Sequence, residues 1–326
     1  MEIIMKITVI GCGRWGSLIG WYLAAHKGHE VTMYGPADTP HMQRFLAERR
    51  NDLLVLPDSV KLCTDIKEAT DTCETLIISI GSQGLRGLME ELKPLGIKNK
   101  TVVLCMKGIE AETGKRLSEI TSEALDPSVK VAVWVGPGHV QEFYAGVPNC
   151  MVIDSLDEAT KQYLVEEFSS DLIRFYYGED LIGSEIGAAS KNVIGIAAGM
   201  LDGKGLSTLK GALMSRGTRE IARLIAAMGG SELSAYGLCH LGDYEATVFS
   251  KFSHNRAFGE AFVKGESFGA LAEGYATTRA MVLLGKRYGV ELPICEAVYA
   301  ILYEGADPMV ALHGLFERKI KNEFYM

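Results

Sequence analysis

The chain has 326 residues, 48% of them hydrophobic and 23% charged, with a formal net charge of -8; this is the balance of a globular protein about two domains long. The acidic excess argues against a nucleic-acid partner, which needs a basic surplus to neutralise phosphates, but leaves room for a local basic pocket. Seven cysteines (Cys12, Cys63, Cys73, Cys105, Cys150, Cys239 and Cys295) are scattered, odd in number and free of C-x-x-C pairs, so reduced thiols in the cytoplasm are expected rather than disulfides or a zinc site.

The N-terminal run MEIIMKITVIG is too short for a membrane span and lacks a small-residue cleavage site. No other uncharged run reaches spanning length. Within the N-terminal run, Lys6–Ile10 reads as a strand and 17–26 as a helix, with Gly11-Cys12-Gly13-Arg14-Trp15-Gly16 between them. Strand, G-x-G-x-x-G, helix is the context of a dinucleotide-binding loop. Gly11 permits the tight turn, Gly13 lets the backbone approach a pyrophosphate, and Gly16 lets helix and strand pack closely. The second strand, Glu30–Tyr34, ends in Tyr34, Gly35 and Pro36. That end offers neither the acid that bonds ribose hydroxyls nor an arginine for a 2′-phosphate, so NAD and NADP both remain open.

Further buried strands are expected at 75–80, 101–106 and 131–135, then at 151–153 and Ile173–Tyr177 around a helix at 157–168. Helices at Leu85–Leu92 and 115–124 fall between strands, which predicts a parallel, doubly wound sheet in a Rossmann-like α/β domain over residues 1–182. The strands run into polar turns, Gly81-Ser82-Gln83, Lys107-Gly108 and Gly136-Pro137-Gly138-His139, at the edge where open sheets bind ligands. Lys107 there is either a ligand-facing cation or a solvated loop residue.

From residue 183 to 326 the pattern is all-helical. The run 186–201 (IGAASKNVIGIAAGML) has no wet face, and Lys191 is its only charge. Such an ammonium either pairs with an acid such as Glu185 or reaches a surface, or it serves proton transfer with a pKa lowered by burial. Helices at 207–228, 257–264, 276–288, Pro293–Tyr303 and 308–319 complete the chain. The two domains are expected to pack directly, with a cleft between them.

These motifs occur in one order. After Gly11–Gly16 come Ser82-Gln83 with Arg86, Lys107-Gly108-Ile109-Glu110, Gly136-Pro137 with Glu142, and the runs 183–192 (GSEIGAASKN) and 199–205 (GMLDGKG). Arg216-Gly217, Leu241-Gly242-Asp243, Asn255-Arg256-Ala257-Phe258-Gly259 and Glu273-Gly274-Tyr275 follow. Over essentially its whole length the chain resembles the bacterial-type NAD(P)-dependent glycerol-3-phosphate dehydrogenases. The resemblance implies reversible hydride transfer between NAD(P)H and dihydroxyacetone phosphate, giving sn-glycerol 3-phosphate for glycerophospholipid synthesis, in a homodimer. It makes Lys191 the general acid or base, with Lys107 and Asp243 beside it as catalytic groups. Asn192, Ser253, His254, Asn255, Arg256, Gly136 and Gly138 join these three around the substrate. Gly11, Gly13, Arg14, Trp15, Gly16, Ser82, Lys107, Val140, His254, Arg256, Leu271 and Glu273 are the implied cofactor contacts. No metal is implied, since a positioned cation can stabilise the developing alkoxide.

The chain departs from the family pattern at four places. His254 stands where an arginine usually meets the substrate phosphate, and Arg14 replaces a small serine. Pro36 replaces a basic residue, and Gly81 a proline. If His254 is the phosphate anchor, substrate binding should weaken as pH rises through its titration. Two other readings stand beside the first: a related reductase of another small phosphorylated or hydroxy-acid substrate, and a nucleotide-binding regulator without catalysis.

Overall fold

The structure, a computed structural model, describes residues 4–320, 322 and 323; the first three residues of the N-terminal apolar run lie outside them. Eight short runs become strands of one sheet: β1 (Lys6–Ile10), β2 (Glu30–Tyr34), β3 (Lys61–Cys63), β4 (Thr75–Ile78), β5 (Thr101–Leu104), β6 (Lys130–Val135), β7 (Asn149–Ser155) and β8 (Ile173–Tyr177). Their order is β3-β2-β1-β4-β5-β6-β7-β8. The first six pair in parallel, as their intervening helices require.

The expected parallel, doubly wound sheet is found over these six strands, and the last two depart from it. β7 pairs antiparallel with β6, and β8 runs parallel to β7, so both point against the other six. The link from β6 to β7 carries only a five-residue helix, Val140–Tyr144. That is too short to carry the chain back along the sheet, and it returns as an antiparallel neighbour. β3 escapes a reading by apolar runs because it is three residues long and begins with Lys61.

Seven helices accompany the strands: α1 (Arg14–Ala25), α2 (Pro40–Glu48), α3 (Ile66–Asp71), α4 (Leu85–Leu92), α5 (Leu117–Ala124), α6 (Val140–Tyr144) and α7 (Glu158–Phe168). One apolar cluster, with Leu18, Tyr22, Trp134 and Phe168, fills one face of the sheet; a second, with Leu76, Leu88, Val102 and Ile120, fills the other. The rest of the chain is helical: α8 (Leu181–Gly203), α9 (Lys210–Ala227), α10 (His254–Lys264), α11 (Glu273–Tyr288), α12 (Pro293–Tyr303) and α13 (Pro308–Phe316). Among the described residues no helix is long and apolar enough to cross a membrane.

Helix α8 is the axis of this half. Leu181 and every residue from Gly183 to Met200 are buried. It begins five residues before the run read from the sequence; in that first turn Leu181 packs with Val133, Val135 and Val152 of the sheet and Ser184 donates to Asp154 of β7. α10 crosses it at backbone contact: a Cβ on Gly199 would strike the carbonyl of Arg256, and one on Gly259 the carbonyl of Ile196. Ser253 caps α10, its Oγ accepting from the Arg256 N–H at 3.2 Å. α10 therefore starts at His254, three residues earlier than expected, beside the middle of α8.

Candidate active site

The loop after β1 is built to leave space. Gly11 has φ +115°, and a Cβ there or on Gly16 would collide with the backbone of Ser79 or Gly11. A Cβ on Gly13 would meet nothing within 4 Å. Gly13 also caps α1 without any side-chain bond, so the first-turn N–H groups of α1 are left for a ligand. An open concavity floored by these N–H groups fits a dinucleotide pyrophosphate, and the loop residues Gly11, Gly13, Trp15 and Gly16 are suited to hold one.

Three charges meet at the junction of the two halves. Lys191 Nζ, from the middle of α8, lies 2.7 Å from Asp243 Oδ2, and Lys107 Nζ, from the end of β5, lies 2.7 Å from the same oxygen. Lys107 also donates to the carbonyl of Gly136, and its Nζ sits 5.6 Å from the Trp15 ring centroid. Asn192 Nδ2 donates to the carbonyl of Lys107 at 2.9 Å. Burial pulls the Lys191 ammonium down to about 8; Asp243 opposes the shift and Lys107 adds to it. The pairing of Lys191 with Glu185, open from the sequence, is excluded: Glu185 binds Arg116 at 2.8 Å and the Ser118 N–H at 2.9 Å instead.

Two groups given no role from the sequence belong here, Thr247 and His139 of the turn after β6. Lys191 Nζ donates to Thr247 Oγ1 at 2.8 Å. Thr247 lies on a π-helical turn, Glu245–Phe249, four residues after Asp243, and that i to i+4 spacing is the signal that could have found it. His139 Nε2 and Asp243 Oδ1 are buried without a partner among the described residues. Burial, chiefly, lowers His139 to about 4, with Lys191, Lys107 and Arg14 contributing. His139 is therefore neutral near pH 7.

The cofactor and phosphate ends are mixed. Ser82 donates from its N–H to Glu273 Oε1 at 3.0 Å and from its hydroxyl to Oε2, so two implied cofactor residues meet across the halves. Gly136 and Gly138 hold φ +132° and +133°, next to buried Val140 at the start of α6. Asn255 Oδ1 accepts from the Gly274 N–H at 2.9 Å. Arg256 is turned away, its Nη1 2.8 Å from Asp202 and 3.0 Å from Glu260. His254 Nε2 lies 2.8 Å from Arg14 Nη1, and its Nδ1 3.2 Å from the carbonyl of exposed Leu271. A guanidinium only donates, so Nε2 accepts and Nδ1 carries the proton: His254 is neutral. Burial and Arg14 both lower its pKa. The picture of His254 as a titrating phosphate anchor does not fit this geometry. A larger apolar cavity, of about 420 Å³ among α8, α9, α12 and α13, contains none of these residues.

Residues 6–161 match the family model for the N-terminus of NAD-dependent glycerol-3-phosphate dehydrogenase, and residues 180–313 match its C-terminal counterpart. The chain belongs to the glycerol-3-phosphate dehydrogenases. An NAD(P)+ glycerol-3-phosphate dehydrogenase from Prosthecochloris aestuarii is 38% identical over 335 residues, covering 98% of this chain and 100% of its own. One from Thermoanaerobacter sp. is 35% identical over 332 residues, covering 98% and 99%. The crystal structure of glycerol-3-phosphate dehydrogenase from Coxiella burnetii superposes with a TM-score of 0.89 at 29% identity, covering 97% of this chain and 99% of that one. A glycerol-3-phosphate dehydrogenase is an NAD(P)-dependent oxidoreductase.

Proposed function

We propose that this chain catalyses the reversible reduction of dihydroxyacetone phosphate to sn-glycerol 3-phosphate, the backbone of glycerophospholipids, with residues 1–182 holding the cofactor and 183–326 the substrate. The observation that carries the residue assignment is the buried Lys191, drawn to about 8 and fixed between Asp243 Oδ2 and Thr247 Oγ1.

When bound, the nicotinamide supplies the hydride. Lys191 gives its proton to the ketone oxygen as the carbonyl electron pair collects there, leaving a secondary alcohol and a neutral amine. In the other direction the neutral amine takes the hydroxyl proton. A lysine near 8 suits both directions, since either form is accessible near neutral pH. Lys107 keeps a second positive charge beside the same carboxylate and stabilises the developing alkoxide in a site screened from water. Asp243 holds both ammonium groups in place, and Asn192 fixes the backbone at Lys107. The unpartnered Asp243 Oδ1 and His139 Nε2 offer polar atoms to the substrate's hydroxyl. The Gly11–Gly16 loop and the N-terminus of α1 hold the cofactor phosphates, and the Ser82–Glu273 pair closes over the same edge of the sheet.

The test is purified protein with dihydroxyacetone phosphate and either NADH or NADPH, followed by cofactor absorbance. Turnover with at least one cofactor is expected, and the comparison sets the preference that Pro36 leaves open. Cofactor binding without turnover on either would overturn the proposal. We also take the enzyme as a cytoplasmic homodimer; its seven cysteines are all free thiols, which fits a reducing compartment, and light scattering at assay concentration reads the assembly.

A further inference from the structure

We propose that Arg14, reaching across the cleft from the cofactor-binding half, is the guanidinium that reads the substrate's phosphate, and that neutral His254 is the prop that holds it in position. The inference rests on the reading of dihydroxyacetone phosphate as substrate.

A census of cations at the cleft leads to Arg14. Lys107 and Lys191 share the carboxylate of Asp243. Arg256 is paired with Asp202 and Glu260. Half-buried Arg14 has two partners, His254 Nε2 at 2.8 Å and Gln141 Oε1 at 3.4 Å, and both are neutral. Among the described residues no carboxylate pairs with it. A partly desolvated guanidinium without a counter-charge, with donors to spare, attracts an anion, and its fork matches phosphate oxygens.

A second set of donors faces it from the other half. His254 is the first residue of α10, an eleven-residue helix. The N–H groups of His254 and Asn255 fall in its first turn and have no acceptor within the helix. Ser253 satisfies only the Arg256 N–H. The guanidinium from one half is thus held on the first residue of that helix from the other, and a phosphate dianion bound there satisfies both sets of donors.

Direction separates substrate from cofactor phosphate. The backbone of Arg14 belongs to the glycine loop, where the pyrophosphate fits, but its side chain leaves that loop for His254. The first turn of α10 meets α8 at Gly195, where a Cβ would touch both Asn255 and Thr247, the threonine that accepts from Lys191. The charge is therefore delivered to the substrate side.

Steady-state kinetics on Arg14→Ser test this. The KM for dihydroxyacetone phosphate should rise about 100-fold with a smaller change in kcat, as for loss of a charge-assisted phosphate contact. Discrimination against unphosphorylated dihydroxyacetone should shrink by a similar factor, while the cofactor Kd, read by fluorescence, stays within about threefold. Arg14→Ser with His254→Arg should recover at least tenfold in KM by returning a guanidinium to the same point from α10. An unchanged KM for dihydroxyacetone phosphate, or a loss confined to cofactor affinity, overturns the proposal. If the wild-type chain does not turn over at all, the dehydrogenase reading fails separately. Inorganic phosphate binding to cofactor-loaded protein then judges Arg14, and equal affinity in wild type and Arg14→Ser sinks it.

Discussion

Lys191 sits in a helix that offers it no water, so its charge depends on Asp243 and Thr247. Burial lowers its pKa from 10.5 to about 8, which has consequences for both rate and stability. Reduction needs the protonated form, so kcat for dihydroxyacetone phosphate should fall as pH rises through about 8, and kcat for glycerol 3-phosphate oxidation should rise over the same range. A pH profile flat in both directions between about 7 and 9 would remove Lys191 from the proton transfer. Lys191→Ala should lose about three orders of magnitude or more in kcat with cofactor affinity kept. For stability the sign is opposite to that of a paired surface lysine. The folded chain binds this proton less tightly than the unfolded one, so the penalty is complete below about pH 8 and is relieved as pH climbs toward 10.5. A lone charge in an apolar run made Lys191 legible in the sequence. His254 was not legible in the same way, because its neutrality is set by Arg14, 240 residues away in the chain. Arg256, adjacent in sequence to the substrate end, is drawn off by Asp202, a partner no local pattern announces.

Helices α8 and α10 meet backbone to backbone, and that contact positions the substrate end of the site. In Gly199→Ala the added methyl collides with the Arg256 carbonyl, a rigid group that cannot rotate away. The expected loss is about 1–3 kcal/mol in urea unfolding, the range of overpacking in a tight interior. The KM for dihydroxyacetone phosphate should rise as well, because α10 carries His254 and Asn255 at its start. A stable Gly199→Ala with wild-type KM would mean that the crossing has slack. At this scale the elements were largely legible: the β-branched runs became strands and the all-apolar run became α8. The reversal at β7 was not, since a strand's residues encode its faces and not its direction. Only the five-residue α6 in the connection bears on that direction.

Across the whole molecule, polar bridges join the two halves of the chain. Arg116 reaches Glu185, Ser82 reaches Glu273, Asn192 reaches the Lys107 carbonyl, and Arg14 reaches His254. Apart from Arg116, their residues fall in the motifs read from the sequence, while the pairing across the junction emerged only in three dimensions. α8 belongs to both sides of this arrangement: its first turn lies under the sheet, its middle supplies Lys191 and Asn192, and its end is crossed by α10. No face of it opens without displacing one of these neighbours. Amide hydrogen exchange follows from that burial: the N–H groups from about residue 186 to 200 should share one slow rate, set by global unfolding rather than local opening. Saturating cofactor should slow all of them by one common factor, the linkage factor for its binding. The solvent deuterium taken up by this single helix would then report the folding free energy of the entire chain.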